Sequence, residues 1–348
     1  MRFDEEKFFS ALEEDAALPA ESRAFAPDQL VECVACARRN PPTRMNCLYC
    51  GAALAAVSEM ADLRRPILRA LEEWEQGFNV VLPSGGRANL ARGDQSEVAE
   101  WLGIESGALA EMLRAAEPLP LARVATREEG ELIQRKLTAR GLSIEVIADE
   151  DLAVESQPPR RVRRLECGTE ELRGWARVEE AAESFQWSEI NLIVPGRIQR
   201  KRIETDERRK RVAADAETVE SREFYADESV LDIYSARSVR NWRIVSENFD
   251  YSCLGASKAL LTTENFRRLA EVLKERAPSA VYQDDYRRVR HLLRFAWPPD
   301  EQAAAGGLRR SRPGRFLTAA VLSLSNERQF TRYGRLVHHF INRQEAFV

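Results

Sequence analysis

The sequence predicts a multi-domain α+β protein: a small cysteine-clasped segment, a compact β-α-α-β-α-β domain and a larger C-terminal α+β domain. Three observations predict it. Two Cys-x2-Cys pairs stand at 33–36 and 47–50, strand and helix patterns alternate over residues 78–147, and mixed patterns fill the chain beyond residue 165. A chain of 348 residues has room for two or three domains of ~100–200 residues. Hydrophobic residues make up 44% and charged residues 31%, enough apolar material for real cores. A net charge of −4 excludes a global polyanion binder and leaves nucleic-acid contact to a local patch.

Residues 1–29 read as an N-terminal helix and linker, with Phe8, Phe9 and Leu12 on one face. The start, MRFDEEKFFSALEEDAALP, lacks the basic opening and apolar core of a secretory signal. No apolar run reaches the ~18–20 residues of a membrane helix, so no membrane insertion is expected. Cysteines in metal spacing fit a reducing compartment, and a cytoplasmic location is expected.

Residues 33–50 read CVACARRNPPTRMNCLYC, followed by Gly51. Two residues between cysteines turn the backbone tightly enough for both sulfurs to meet one ion. A second pair closes the tetrahedron at ~2.3 Å from zinc to sulfur. Gly51 suits a positive φ, and Asn40-Pro41-Pro42 reverses the chain between the pairs. The segment resembles the small zinc ribbons fused to many bacterial proteins, over residues 30–54. Four thiolates from Cys33, Cys36, Cys47 and Cys50 leave no open position, so the zinc is expected to be structural. An iron centre and a pair of disulfides are the rival readings. Cys167 and Cys253 stand apart and read as inert thiols.

Met60, Leu63, Ile67, Leu71 and Trp74 recur at helical spacing, predicting a connecting helix over 55–76, broken near Pro66. Strands are then expected at 78–82, 119–125 and 142–147, and helices at 94–102, 106–116 and after Thr126. Thr126 with Glu129 is a capping box, and Gly141 ends the helix it opens. This order, and the stretch TREEGELIQRKLTARGLSIEV above all, resembles the C-terminal domain of the bacterial ribosomal stalk protein, over about 77–148. The resemblance implies a fold for residues 77–150. It does not carry the stalk family's factor-binding face, because the lysine positions fall on Ser96, Ala99, Gly107 and Ala110.

SQPPRRVRR (156–164) reads as the end of a linker over 151–164, leading into a domain over 165–348. There, 188–194 and 197–204 read as a hairpin turning at Pro195-Gly196, with further strands at 230–236, 241–251 and 316–324. Residues 298–314 read as a loop, and helices are expected at 264–276, 286–296 and 326–340. The element order is compatible with a pleckstrin-homology-like barrel.

The catalytic motifs searched for are missing: no phosphate loop, no dinucleotide fingerprint, no His-Glu-x-x-His, no Gly-x-Ser-x-Gly. His338 and His339 read as helix-terminal or surface residues, His291 as surface and Asp284 with Asp285 as a helix cap. Cys253 as a nucleophile would need His291 as its base. Residues 197–211 concentrate eight cations: Arg197, Arg200, Lys201, Arg202, Arg208, Arg209, Lys210 and Arg211. They read either as a solvated strand edge or as a polyanion site for nucleic acid or an acidic partner. The expected function is a non-catalytic zinc-ribbon adaptor or regulatory protein with a protein partner. The alternatives are a nucleic-acid-associated protein, a hydrolase or nuclease built on the C-terminal domain, and a ribosome-associated factor.

Overall fold

A short 3-10 turn (Pro27–Gln29) precedes a two-residue ladder, in which β1 (Val31–Glu32) pairs antiparallel with β2 (Arg39–Asn40). The computed structural model describes residues 25–54, 66–72, 74–84, 90–177, 180–209, 216–312 and 315–345. These fall into two compact units, Met1–Ile67 and Leu68–Val348. The helix expected over Phe8, Phe9 and Leu12 lies outside the described residues, as does the 55–65 part of the connecting helix.

Residues 68–72 and 74–77 correct the connecting helix: they form no helix but a pinned strap with a turn closed by the Glu75 amide on the Glu72 carbonyl. The Leu68 amide donates to Glu129 at 2.8 Å, Arg69 forks onto Glu75 at 2.7 and 2.5 Å, and Arg123 holds the Glu75 carbonyl at 2.7 Å. Side-chain anchors have replaced the i to i−4 ladder that helical periodicity implied.

Beyond the strap the expected order appears. β3 (Phe78–Leu82) is followed by α1 (Arg92–Leu102), α2 (Ser106–Arg114), β4 (Leu119–Val124), α3 (Arg127–Thr138) and β5 (Glu145–Ala148). β3 lies between β4 and β5, antiparallel to both. The Thr126 hydroxyl accepts from the Glu129 amide at 3.2 Å, the N-cap half of the predicted box, while the Glu129 carboxylate reaches the strap instead.

Residues 151–164 are more than a linker. α4 (Asp149–Leu152) runs into them, and β6 (Arg160–Val162) pairs in parallel with β12 (Ser238–Val245). A three-stranded sheet follows, from β7 (Arg164–Cys167), β8 (Glu171–Trp175) and β9 (Glu183–Gln186).

The expected hairpin at Pro195-Gly196 is corrected to one uninterrupted strand. β10 (Ile190–Arg209) pairs along its length with β11 (Ala216–Ser235), Pro195 opposite Leu231 and Gly196 opposite Val230. On the other edge of β10, β13 (Val281–Tyr282) pairs at 192–193 and β15 (Arg315–Ser325) from 200 onward. Pro195 sits in the gap between them, where its missing N–H breaks no ladder. Asn326 fills that gap, accepting from the Gln199 amide at 2.7 Å and donating to the Arg197 carbonyl at 3.1 Å. Gly196 is needed for proximity: a Cβ there would stand 2.3 Å from the Phe330 ring.

The expected loop at 298–314 is corrected to a strand, β14 (Asp300–Arg312), antiparallel to β15 with a register shift between Ala305 and Gly307. Gly306-Gly307, read as a loop signal, marks this irregularity instead. The large sheet runs β14-β15-β10-β11-β12-β6, an open path and no closed barrel.

Helices α5 (Thr262–Arg276), α6 (Tyr286–Leu293) and α7 (Glu327–Glu345) complete the unit. Both faces of β10 and β11 are covered over residues 190–198 and 230–235, because alternate residues there enter different cores. Leu192, Val194, Val230 and Tyr234 join the core of β3–β5, α6 and α7. Ile193, Leu231, Ile233 and Trp242 join a second core with β7–β9 and α5. The first core runs without interruption from residues 77–150 into the C-terminal half. Polar bonds follow it: Trp297 donates to Asn79 at 2.7 Å, and Arg288 meets Glu117 at 2.5 Å.

Candidate metal centre

The two cysteine pairs build the same turn twice. The Ala37 amide donates to the Cys33 carbonyl at 2.8 Å and the Gly51 amide to the Cys47 carbonyl at 3.0 Å. The Cys33 amide donates to Arg38 and the Cys47 amide to Ala52, at 3.0 and 2.8 Å. Each turn then needs a left-handed residue just after its second cysteine, Ala37 at φ +54° and Gly51 at φ +74°. Gly51 meets this requirement without strain, as its place in the sequence predicted; Ala37 carries the Cβ penalty.

The four sulfurs all lie within 4.8 Å of one another. Cys33 to Cys50 and Cys36 to Cys47 each measure 3.6 Å, far beyond a disulfide bond of ~2.05 Å. A tetrahedron with ~2.3 Å metal–sulfur bonds has edges of about 3.8 Å, so the spacing fits one ion. It is the one cluster of three or more Cys, His, Asp or Glu ligand atoms found among the described residues.

Asn40 is the supporting residue that sequence reasoning missed. Fully buried, its amide nitrogen donates to the Cys47 sulfur at 3.4 Å and to the Arg38 carbonyl at 2.8 Å. Its oxygen accepts from the Leu48 amide at 2.8 Å. Its place beside two prolines gave it away only as a turn-former. Burial resists charge on Cys47, but the Tyr49 and Cys50 amides and then Asn40 outweigh it and bring the thiol to about 6. The Arg38 amide favours the Cys36 thiolate, yet burial and the thiols of Cys50, Cys47 and Cys33 push it to about 12. Four crowded sulfurs cannot all ionise alone; a bound cation removes that conflict.

The basic stretch is brought together with acids. Arg197 pairs with Asp227 at 2.8 Å, Lys201 with Glu223 at 3.0 Å and Arg202 with Glu204 at 2.8 Å. Arg200 bonds Glu228 and meets Glu327 at 2.6 Å. The acids come mainly from β11, whose antiparallel register the sequence order concealed. Arg208 and Arg209 continue the backbone of β10, while Lys210 and Arg211 lie outside the described residues.

The other singled-out residues do not converge. His291 bonds Glu111 at 3.1 Å, far from any role with Cys253. Cys253 instead lies beside Cys167, so the two isolated thiols are neighbours; the nearby Cys253 thiol, against burial, holds Cys167 low, while the Cys167 thiol and burial push Cys253 up. Asp285 stands at the N-cap position of α6, its carboxylate accepting from Gln283 at 3.1 Å and Arg288 at 3.1 Å. His338 corrects the surface reading: it is buried, because α7 is covered on most of its circumference.

Comparison with protein families, curated proteins and solved structures returns no match for this chain. The fold and the site define an α+β protein with a four-cysteine cluster able to hold a metal ion. No described helix is long and apolar enough to cross a membrane.

Proposed function

We propose that residues 30–54 are a zinc ribbon with one structural zinc, and that the protein is a non-catalytic adaptor or regulatory module. The observation that carries the metal reading is the closed set of four sulfurs at 3.6 Å pair spacings, with no fifth donor and no open position. Thiolate softness and tetrahedral spacing favour zinc over harder divalent ions. The ribbon's own core holds only Val31, Cys33, Cys47 and Leu54, too little to fold unaided, so the ion supplies the stability.

The adaptor reading rests on what the turns present. Val34 is 92% exposed and Leu48 and Tyr49 more than half, three apolar side chains on the tips of the two turns. The β-α-α-β-α-β order over 78–148 supports a stalk-like fold, while Ser96, Ala99, Gly107 and Ala110 support a partner other than a translation factor. The catalytic alternative has less behind it. Asp232, the most buried carboxylate, is already held by Arg243 at 2.8 and 2.7 Å.

Metal analysis of purified protein tests the site: one zinc per chain is expected, and none in a Cys36→Ser, Cys47→Ser variant. Iron in its place, or full zinc in the variant, overturns it. For the adaptor, a nuclease-resistant partner is expected to be lost in Val34→Asp, Tyr49→Ala protein that keeps its zinc. A partner retained by that variant would sink this surface.

A further inference from the structure

Arg332, on α7, is only 8% exposed, yet its guanidinium makes no hydrogen bond or ion pair among the described residues. A buried charge without a partner is among the most costly features a fold can keep. Its nearest opposite charges are committed elsewhere. Asp149 accepts from Arg123 at 2.6 Å, from the Gly77 amide at 2.9 Å and from Asn79 at 2.8 Å. Asp300 faces Arg328 at 3.7 Å. Burial, then the like charge of Arg123, draws the Arg332 pKa to about 10, still cationic at neutral pH.

The side chain is not sealed in protein. It lines a cleft of about 450 Å³, within the usual range for small-molecule sites. One wall is the strap, including Leu71 and the 78%-exposed Trp74; Leu121, Phe295 and Pro298 face it. Other cations on the wall already have acids: Arg69 with Glu75, Arg123 with Asp149 and Arg294 with Glu105. The cleft therefore combines an apolar patch on the strap side and one unspent, fork-shaped donor with the carboxylates of Glu72, Asp300 and Glu301 at its rim.

We propose that this cleft binds a small organic anion, its carboxylate or phosphate head on Arg332 and an apolar body of about one ring against the strap. A planar guanidinium matches either head with two parallel bonds, and desolvation strengthens both. The strap, pinned at Glu129 and Asp149, holds the apolar wall in place before the ligand arrives. The proposal goes beyond the zinc-ribbon reading and is independent of it, since every residue involved lies within 68–348.

The test uses the full chain and three probes: phenyl phosphate, benzoate and inorganic phosphate, each to about 10 mM, read by melting temperature and calorimetry. At least one ring-bearing probe is expected to raise the melting temperature saturably, and inorganic phosphate to bind about tenfold or more weakly. The phosphate and carboxylate arms show which head the site prefers. Arg332→Met is expected to lose the ligand-dependent rise while melting no lower than the ligand-free wild type. Trp74→Glu, an exposed change that leaves the core alone, is expected to weaken binding about tenfold through like charge at the mouth. No saturable rise in the wild type with either ring probe overturns the proposal. So does binding within about twofold of wild type in Arg332→Met or, should that variant not fold, in Trp74→Glu.

Discussion

The four-cysteine segment and the 68–348 unit solve the same stability problem by opposite means. The first has a core of four residues and converges on four sulfurs; the second buries two extended hydrophobic cores and threads ion pairs through them. With the proposed ion bound, the free energy of the four-cysteine segment would be concentrated at one point, so one chemical event would remove it. In the large unit it is spread over many contacts, and a single loss is graded. The difference teaches where each unit is vulnerable.

The largest expected effect removes the proposed metal. Chelation, or Cys36→Ser with Cys47→Ser, should forfeit a binding term of about 10–16 kcal/mol and unfold residues 30–54. Amide exchange is expected to show that segment unprotected and β10–β12 unchanged. Protection retained in the metal-free segment would break the comparison.

Next comes the most buried pair in the large unit, Asp232 with Arg243, whose side chains are 0% and 5% exposed. Asp232→Ala strands the guanidinium and should cost about 3–5 kcal/mol in urea denaturation, with zinc content untouched. A loss below about 1 kcal/mol would mean that Glu327 and Thr331 rescue Arg243.

Acid should separate the two units by mechanism. Burial first, then Arg335 and His339, depresses the His338 pKa from 6.5 to about 4. Native His338 stays neutral while the unfolded chain takes up a proton below pH 6.5. Stability is therefore whole above pH 6.5 and falls as pH drops toward 4, by up to about 3 kcal/mol. His338→Gln should flatten this part of the profile; an unchanged slope would assign the acid sensitivity to other groups.

Two smaller substitutions sharpen the picture. Gly196→Ala drives a methyl into the Phe330 ring and should cost about 1–3 kcal/mol in urea, where a turn glycine would have tolerated it. Ala37→Gly relieves a left-handed alanine and should slow zinc release to a chelator, a gain of about 1 kcal/mol or less. Faster release would show that the first turn is not strained.

What the sequence made legible was local. Cysteine spacing encodes a distance between sulfurs, and the Thr126 cap encodes a helix start within four residues. Pairings across the chain were hidden. Pro195-Gly196 carries a turn's chemistry, and only the gap in the β10 edge and the Phe330 ring explain why it lies in a strand. The cations at 197, 200 and 201 read as a patch because the acids that pair with them arrive some 20 to 30 residues later on β11, or from α7; Arg202 alone meets a neighbour in sequence, Glu204. Likewise α7 buries Arg332, Arg335 and His338 beside Phe330 and Leu336, which a hydrophobic stripe cannot register.

The bond from Trp297 to Asn79 spans 218 positions. On a ribosome adding about 5–20 residues each second, those positions take roughly 10–40 s to appear. Through that interval Val80, Leu109 and Leu121 lack the α6 and α7 side chains that complete their core. The nascent chain thus carries an unfinished apolar surface throughout that interval, exposed to association until the later helices arrive. Helix α7, synthesised after every strand of that core, is the one that closes it.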